Sequence, residues 1–184
     1  MLVSRSAFVK VLKELSSRKV KYVVIGDSVL HLATGDSFMG DDIDLFVFQP
    51  DLLAEEEFYH KLADELGWGV GQTWLGTPKL LAKEEGEEVE VDLYTNLFDF
   101  FISPELLKTA SRVRINNFRV KALEPEAYLV LKAKFADSAR MKELKSFFGS
   151  RGFNKRKIEE YLKLMPREDE RVVRRKLREI GFNV

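Results

Sequence analysis

The sequence predicts an α+β protein, in which a mixed β-sheet flanked by helices is followed by a C-terminal helical region. Three observations carry this. Residues 88–94 alternate strictly, with Glu88, Glu90 and Asp92 on one face and Val89, Val91 and Leu93 on the other, as a strand requires. Apolar residues recur at helical spacing before and between the strand-like runs. From Glu124 onward the period becomes helical and stays so, which divides the chain into 1–121 and 122–184.

Residues 6–17 read as a helix with Phe8, Val11, Leu12 and Leu15 on one stripe, expected to pack on the sheet. Residues 21–25 form the first strand, 28–34 a short helix and 43–48 the second strand. Pro50 and Asp51 start a helix running to about Leu66, with Glu55, Glu56 and Glu57 near its positive end and Phe58, Leu62 and Leu66 turned inward. Residues 69–75 and 78–83 are expected as a hairpin around Gly76-Thr77, before a turn at 84–87 and the strand of Asp92. Segments 96–101 and 104–110 read as short helices, and 112–115 with 118–121 as a hairpin over Asn116-Asn117. Beyond them, Pro125 suits the first turn of a helix carrying Tyr128, Leu131 and Phe135. Residues 138–148 read as the next helix, 149–152 as a break, and 154–164 and 168–180 as two helices separated by Met165-Pro166.

Composition narrows the chemistry. With 184 residues, 45% of them hydrophobic, the chain has ample material for a core and should fold alone. It contains no apolar run of the roughly 18 residues that a bilayer span needs, and 1–10 lacks a signal-peptide core, so a cytoplasmic protein without a membrane partner is expected. The absence of Cys excludes disulfides, thiolate zinc sites and thiol nucleophiles, and two His speak against a multi-histidine zinc site. Abundant Lys, Glu and Arg beside few Gln is a thermophile-like balance. A net charge of zero conceals an asymmetry: residues 1–120 carry −7 and residues 121–184 carry +7. The acidic part suits cation binding and the basic part a polyanion such as RNA.

Chemistry concentrates between Val23 and Phe48. A strand ends in Gly26-Asp27-Ser28, and the next carries Asp42-Ile43-Asp44, whose period-2 geometry points both carboxylates out of one face. Such a pair repels itself unless a cation lies between the oxygens, and Mg²⁺ (or Mn²⁺) with substrate phosphates is the usual tenant. Asp92 completes a triad if its strand lies beside that of Asp42 and Asp44, with Glu90 at the rim. Three carboxylates can hold two metal ions roughly 3.5 to 4 Å apart for an in-line displacement at phosphorus. Phe46 and Phe48 continue the Asp42/Asp44 face, so the acids are expected at the lip of a buried region. Gly26 can take positive φ and admit a ligand close to the backbone, and Ser28 can cap the following helix or bond a phosphate oxygen.

These residues resemble the nucleotidyltransferase superfamily with the polymerase-beta type fold. Gly26 and Ser28 match its turn, Asp42 and Asp44 its Asp-x-Asp pair, and Asp92 its third acid. The chain looks closest to compact stand-alone and abortive-infection toxin members, through Leu30-His31-Leu32-Ala33 leading to Asp42-Ile43-Asp44-Leu45 and, downstream, Leu131-Lys132, Ala136, Arg140 and Lys142-Glu143. It departs from the pattern at Asp27, where a second glycine is common, and at Phe38 and Gly40, where an arginine and a threonine often stand.

The resemblance implies a Mg²⁺-dependent enzyme that transfers NMP from an NTP to a hydroxyl of RNA, protein or a small molecule. It assigns Asp42, Asp44 and Asp92 to metal and catalysis, and Gly26, Ser28 and Lys132 to the nucleotide. Alternatives are a catalytically idle domain that binds RNA or a partner protein, and a toxin restrained by an antitoxin. Independently of the family, Arg171, Arg174, Arg175 and Arg178 recur at i, i+3, i+4 and i+7, opposite Val172, Val173, Leu177 and Ile180. That stripe is the candidate RNA or tRNA contact, extended by Lys155, Arg156 and Lys157.

Overall fold

A computed structural model describes residues 2–184. The chain forms two compact units, 1–101 with 110–123, and 102–109 with 124–184. The segment 102–109, read from sequence as part of the first region, therefore groups with the C-terminal helices.

The first unit is built on seven strands: β1 Lys21–Val24, β2 Asp42–Gln49, β3 Gly69–Gln72, β4 Pro78–Glu84, β5 Glu87–Tyr94, β6 Ser111–Ile115 and β7 Phe118–Ala122. They lie in the order β3-β4-β5-β2-β1-β7-β6, with β2/β5 and β1/β7 parallel and the other pairs antiparallel. The sheet is therefore mixed and the fold α+β, as expected. Helix α1 (Arg5–Ser17) packs on β4, β5 and β7 through the expected stripe, fully buried at Phe8, Val11, Leu12 and Leu15. The short α2 (Ser28–Thr34) follows β1 and lies against β2.

Helix α3 spans Glu56–Leu66, later than expected, because 51–55 turn around Asp51, whose Oδ1 accepts from the Leu53 and Ala54 amides. Its buried residues are Tyr59, Leu62 and Ala63; Phe58 and Leu66 are only half-buried, so the inward face is rotated from the one expected. Residues 96–101 form no helix. Leu97 and Phe100 bond each other's backbone in both directions at 3.0 Å, closing a tight turn with Phe98 at φ 51°.

The second unit holds α4 (Pro104–Lys108), α5 (Pro125–Phe135), α6 (Ser138–Arg151), α7 (Lys155–Leu162) and α8 (Arg167–Glu179). Both α7 and α8 pack on α5. Burial of α5 falls on Ala127, Tyr128, Leu129, Val130 and Ala133, whereas Leu131 is half-buried and Phe135 exposed. Two neighbouring helices cover more of α5 than one stripe, and the Lys134 ammonium lies over the Phe135 ring instead. Gly149 stays within α6, and the break comes at Gly152 with φ 78°. On α8, Val173 and Leu177 are buried while Val172 is exposed. No helix among the described residues is long and apolar enough to cross a membrane.

Candidate active site

Register assembles the acids. Parallel pairing of β2 with β5 sets Asp44 opposite Asp92 and Asp42 opposite Glu90, and the period-2 pleat turns these side chains to one face. One carboxylate oxygen from each of Asp42, Asp44 and Asp92 lies within 4.8 Å of the other two. On the opposite face Ile43, Leu45, Val89, Val91 and Leu93 are buried, so the apolar core holds the strands that carry the acids. Phe46 continues the acid face and is buried, but Phe48 is exposed, and cover ends between them.

Gly26 makes room for this cluster. Its φ lies outside the left-handed region, but a Cβ there would come within 2.6 Å of Asp44 Cγ and overlap the carboxylate. The reason for glycine is thus close approach rather than the positive φ expected from sequence. Ser28 is buried, and its hydroxyl donates to the Met39 carbonyl at 2.7 Å, tying the turn after β1 to the loop that leads into Asp42. Asp27 precedes α2 without forming a side-chain cap.

Asp92 is the most enclosed of the three, 7% exposed. Its Oδ2 accepts from the Tyr94 hydroxyl at 3.0 Å. Burial, and then the charges of Asp44 and Asp92, push the Tyr94 phenol above its ordinary pKa, so it remains a donor. Oδ1 is buried without an aligned hydrogen bond, although the Lys79 ammonium stands 3.2 Å away. Lys79 sits opposite Asp92 in the β4/β5 register and also pairs with Glu90 at 2.5 Å. That hydrogen bond to Glu90 is the main cause that raises the Lys79 pKa.

Sequence reasoning misses Lys79 and Tyr94. Lys79 can be found by counting back from the tight Glu85-Gly86 turn, since Glu84 faces Glu87 and the antiparallel ladder then fixes Lys79 against Asp92. Tyr94 lies two residues beyond Asp92 on the same face, the spacing that any strand offers. Three hard carboxylates with one buried oxygen lacking a hydrogen bond fit a hard divalent cation such as Mg²⁺.

Lys132 and the basic residues singled out from sequence lie in the second unit. Lys132 is half-buried on α5. Along the arginine stripe, Arg174 pairs with Glu170 at 2.7 Å, Arg175 stands 3.9 Å from Glu179, and Arg178 Nε donates to the Val184 carbonyl at 2.7 Å. Arg171 is exposed. Upstream, Lys155, Arg156 and Lys157 each reach a glutamate, namely Glu159, Glu160 and Glu124.

A mixed sheet with three clustered carboxylates beside a Gly-x-Ser turn is the arrangement of the nucleotidyltransferase superfamily. The chain belongs to the family described as nucleotidyl transferase of unknown function (DUF2204), whose model matches residues 4–179. Among solved structures it is similar to an antigenic nucleotidyltransferase-like protein from Paracoccidioides brasiliensis, at 17% identity and a TM-score of 0.59, covering 98% of this chain and 89% of that one. It is also similar to ANT(2'')-Ia in complex with adenylyl-2''-tobramycin, at 17% identity and a TM-score of 0.53, covering 95% of this chain and 97% of that one. The solution structure of the same antibiotic-resistance factor gives a TM-score of 0.54 at 17% identity, over 95% and 91% of the two chains. No curated protein matches the sequence.

Proposed function

We propose that this protein is a metal-dependent nucleotidyltransferase that moves NMP from an NTP to a hydroxyl acceptor in the cytoplasm, with release of pyrophosphate. The observation that carries the reading is the in-register triad, with ligand oxygens within 4.8 Å and a glycine where any side chain would displace Asp44. Asp42, Asp44 and Asp92 would hold Mg²⁺ or Mn²⁺, which when bound neutralises phosphate charge and lowers the cost of the displacement. The acceptor oxygen bonds to the α-phosphorus while the bond from that phosphorus to the pyrophosphate oxygen breaks. Asp92 receives the acceptor proton, and Tyr94 and Lys79 fix its orientation. Backbone beside Gly26 would admit the phosphates.

The fold neighbour solved with adenylyl-2''-tobramycin supports a small molecule among the acceptor candidates, beside an RNA 3′ end and a protein hydroxyl. One observation favours a second reading. Ser28 gives its hydroxyl to Met39 rather than to an open site, as in an idle domain that binds RNA or a partner protein.

The two readings separate in one experiment. Purified protein is incubated with each α-labelled NTP, Mg²⁺ or Mn²⁺, and RNA or small-molecule fractions, beside Asp42→Asn/Asp44→Asn. The transferase reading expects label transfer that falls by at least about 10³ in the double variant, since residues acting as a unit fail together. It also expects a Mg²⁺-dependent rise in thermal midpoint in the wild type alone. Equal Mg²⁺ and nucleotide binding by both proteins would defeat it.

A further inference from the structure

The triad has an aromatic extension on one side of the axis along which the reaction would run. Across the sheet, the turn after β1 lies to one side of Asp42 and Asp44 on β2, and Asp92 on β5 lies to the other. If pyrophosphate departs over the Gly26 turn, in-line geometry brings the acceptor in over β5 and β4. Tyr94 and Trp74 stand on that side. The Tyr94 hydroxyl donates to Asp92 Oδ2 at 3.0 Å. Phe100 stacks on Tyr94 with centroids 5.1 Å apart and meets Trp74 edge-on at 6.4 Å.

This indole is presented rather than merely exposed. Trp74 is 69% exposed, yet it belongs to a turn locked from beneath by two buried threonines. Thr77 Oγ1 donates to the Leu93 carbonyl at 2.6 Å, between Asp92 and Tyr94 on β5, and bonds Thr73 Oγ1 at 2.7 Å. The turn therefore moves with the strand that carries Asp92. A large ring held open to solvent on a rigid base offers an apolar face on which a ligand can stack.

Charge selects the occupant. The strands on this side present Glu90 and Asp92, with Lys79 already shared between them, and Asp99 sits at the tip of the neighbouring 97–100 turn. A polyanion is disfavoured there, whereas a ring without phosphate can stack on the indole, with a cation–π gain if it carries positive charge. We propose that Trp74, backed by Phe100 and Tyr94, is the acceptor platform, and that the acceptor is a small ring-bearing alcohol free of phosphate, stacked on the indole with its hydroxyl toward Asp92. This rests on the transferase reading and narrows its acceptor.

The test uses full-length protein, α-labelled NTPs with Mg²⁺, a cell extract filtered below about 1 kDa, and total RNA. The expected result is label in the small-molecule fraction, reduced about 5- to 100-fold by Trp74→Ala, the range for loss of one stacking partner, and largely restored by Trp74→Phe. The platform idea is overturned by label in RNA or protein, or by an unimpaired Trp74→Ala that keeps the wild-type circular dichroism. If nothing is labelled although calorimetry shows Mg²⁺-dependent NTP binding, emission decides. Trp68 is 6% exposed, so the difference between wild type and Trp74→Phe reports Trp74 alone. Quenching of that difference signal by the small-molecule extract, and not by RNA, supports the platform, and any other pattern removes it. Absence of metal-dependent NTP binding would instead remove the transferase reading, and the platform with it.

Discussion

On the sheet, β2 and β5 hold three carboxylates of like charge together by backbone register; on α8, Arg174 and Arg175 each have a glutamate one turn away on their own helix. Both are charged clusters visible in the sequence, but they obey opposite rules. Helical i,i+4 pairs arise from local spacing, are worth a few tenths of a kcal/mol, and leave the surface electrically satisfied. Gathering like charges at a partly buried site costs free energy that a bound cation would offset. The acidic unit thus carries the arrangement that folding alone does not explain, and the basic unit one that it does.

Two glycines break the comparison most sharply. Gly26→Ala puts a Cβ 2.6 Å from Asp44 Cγ, whereas Gly149 in α6 faces open space. Overpacking at Gly26 should cost about 1–3 kcal/mol. Displacing Asp44 should lower transfer about 100-fold, the penalty of an ångström-scale misplacement. Gly149→Ala should instead stabilise by about 0.4–1 kcal/mol through the unfolded chain. Urea titrations of both variants check the signs; a harmless Gly26→Ala would mean that the Asp44 position is not tightly set.

A second contrast lies within the basic unit. Lys176 Nζ donates to the carbonyls of Lys134 and Ala136 at 3.0 and 2.9 Å, closing the last turn of α5, while Arg175 is exposed. Lys176→Ala should cost about 1–3 kcal/mol, the range for charge-assisted bonds whose loss leaves acceptors unsatisfied. Arg175→Ala should stay within about 0.5 kcal/mol. Equal urea midpoints for the two would show that position along the basic face does not matter.

How much of this is legible in the sequence follows from the range of each signal. Alternation along β2 and β5 displays the acid face in the residues themselves, because a strand's period is local. Their pairing is not displayed, because parallel neighbours are joined by long crossovers and nothing local specifies which strand lies beside which. Ser28 is visible but its partner is not: Met39 takes the hydroxyl from the far side of α2. The turn at 97–100 reads as a helix because the mutual Leu97–Phe100 backbone pairing, with Phe98 at positive φ, leaves no periodic trace in the sequence. Trp74 carries no signal of its own, since its position depends on Thr77, which locks its turn to Leu93 across 16 residues of chain. The glutamates facing Arg174 and Arg175 are readable from spacing alone.

The smallest expected effect concerns a pair in the basic unit that is not a local i,i+4 contact. Glu124 Oε2 accepts from Lys157 Nζ at 2.7 Å and from the Tyr161 hydroxyl at 2.5 Å. Partial burial acts to raise the Glu124 pKa, but these hydrogen bonds outweigh it and hold the carboxyl below its ordinary value. The same bond raises the Lys157 pKa. A depressed carboxyl contributes stability above its unfolded value and loses it as pH falls through the folded one; a raised ammonium contributes below its unfolded value and loses it as pH rises through the folded one. The pair therefore supports the helices between about pH 5 and pH 10 and weakens on both sides. Glu124→Gln should flatten the acid limb of urea midpoint against pH by less than about 1 kcal/mol, since Lys157 is substantially exposed and solvent screens the pair. An unchanged acid limb in this variant would show that Glu124 gains nothing from its partners, and would return the basic unit to surface pairs of negligible worth.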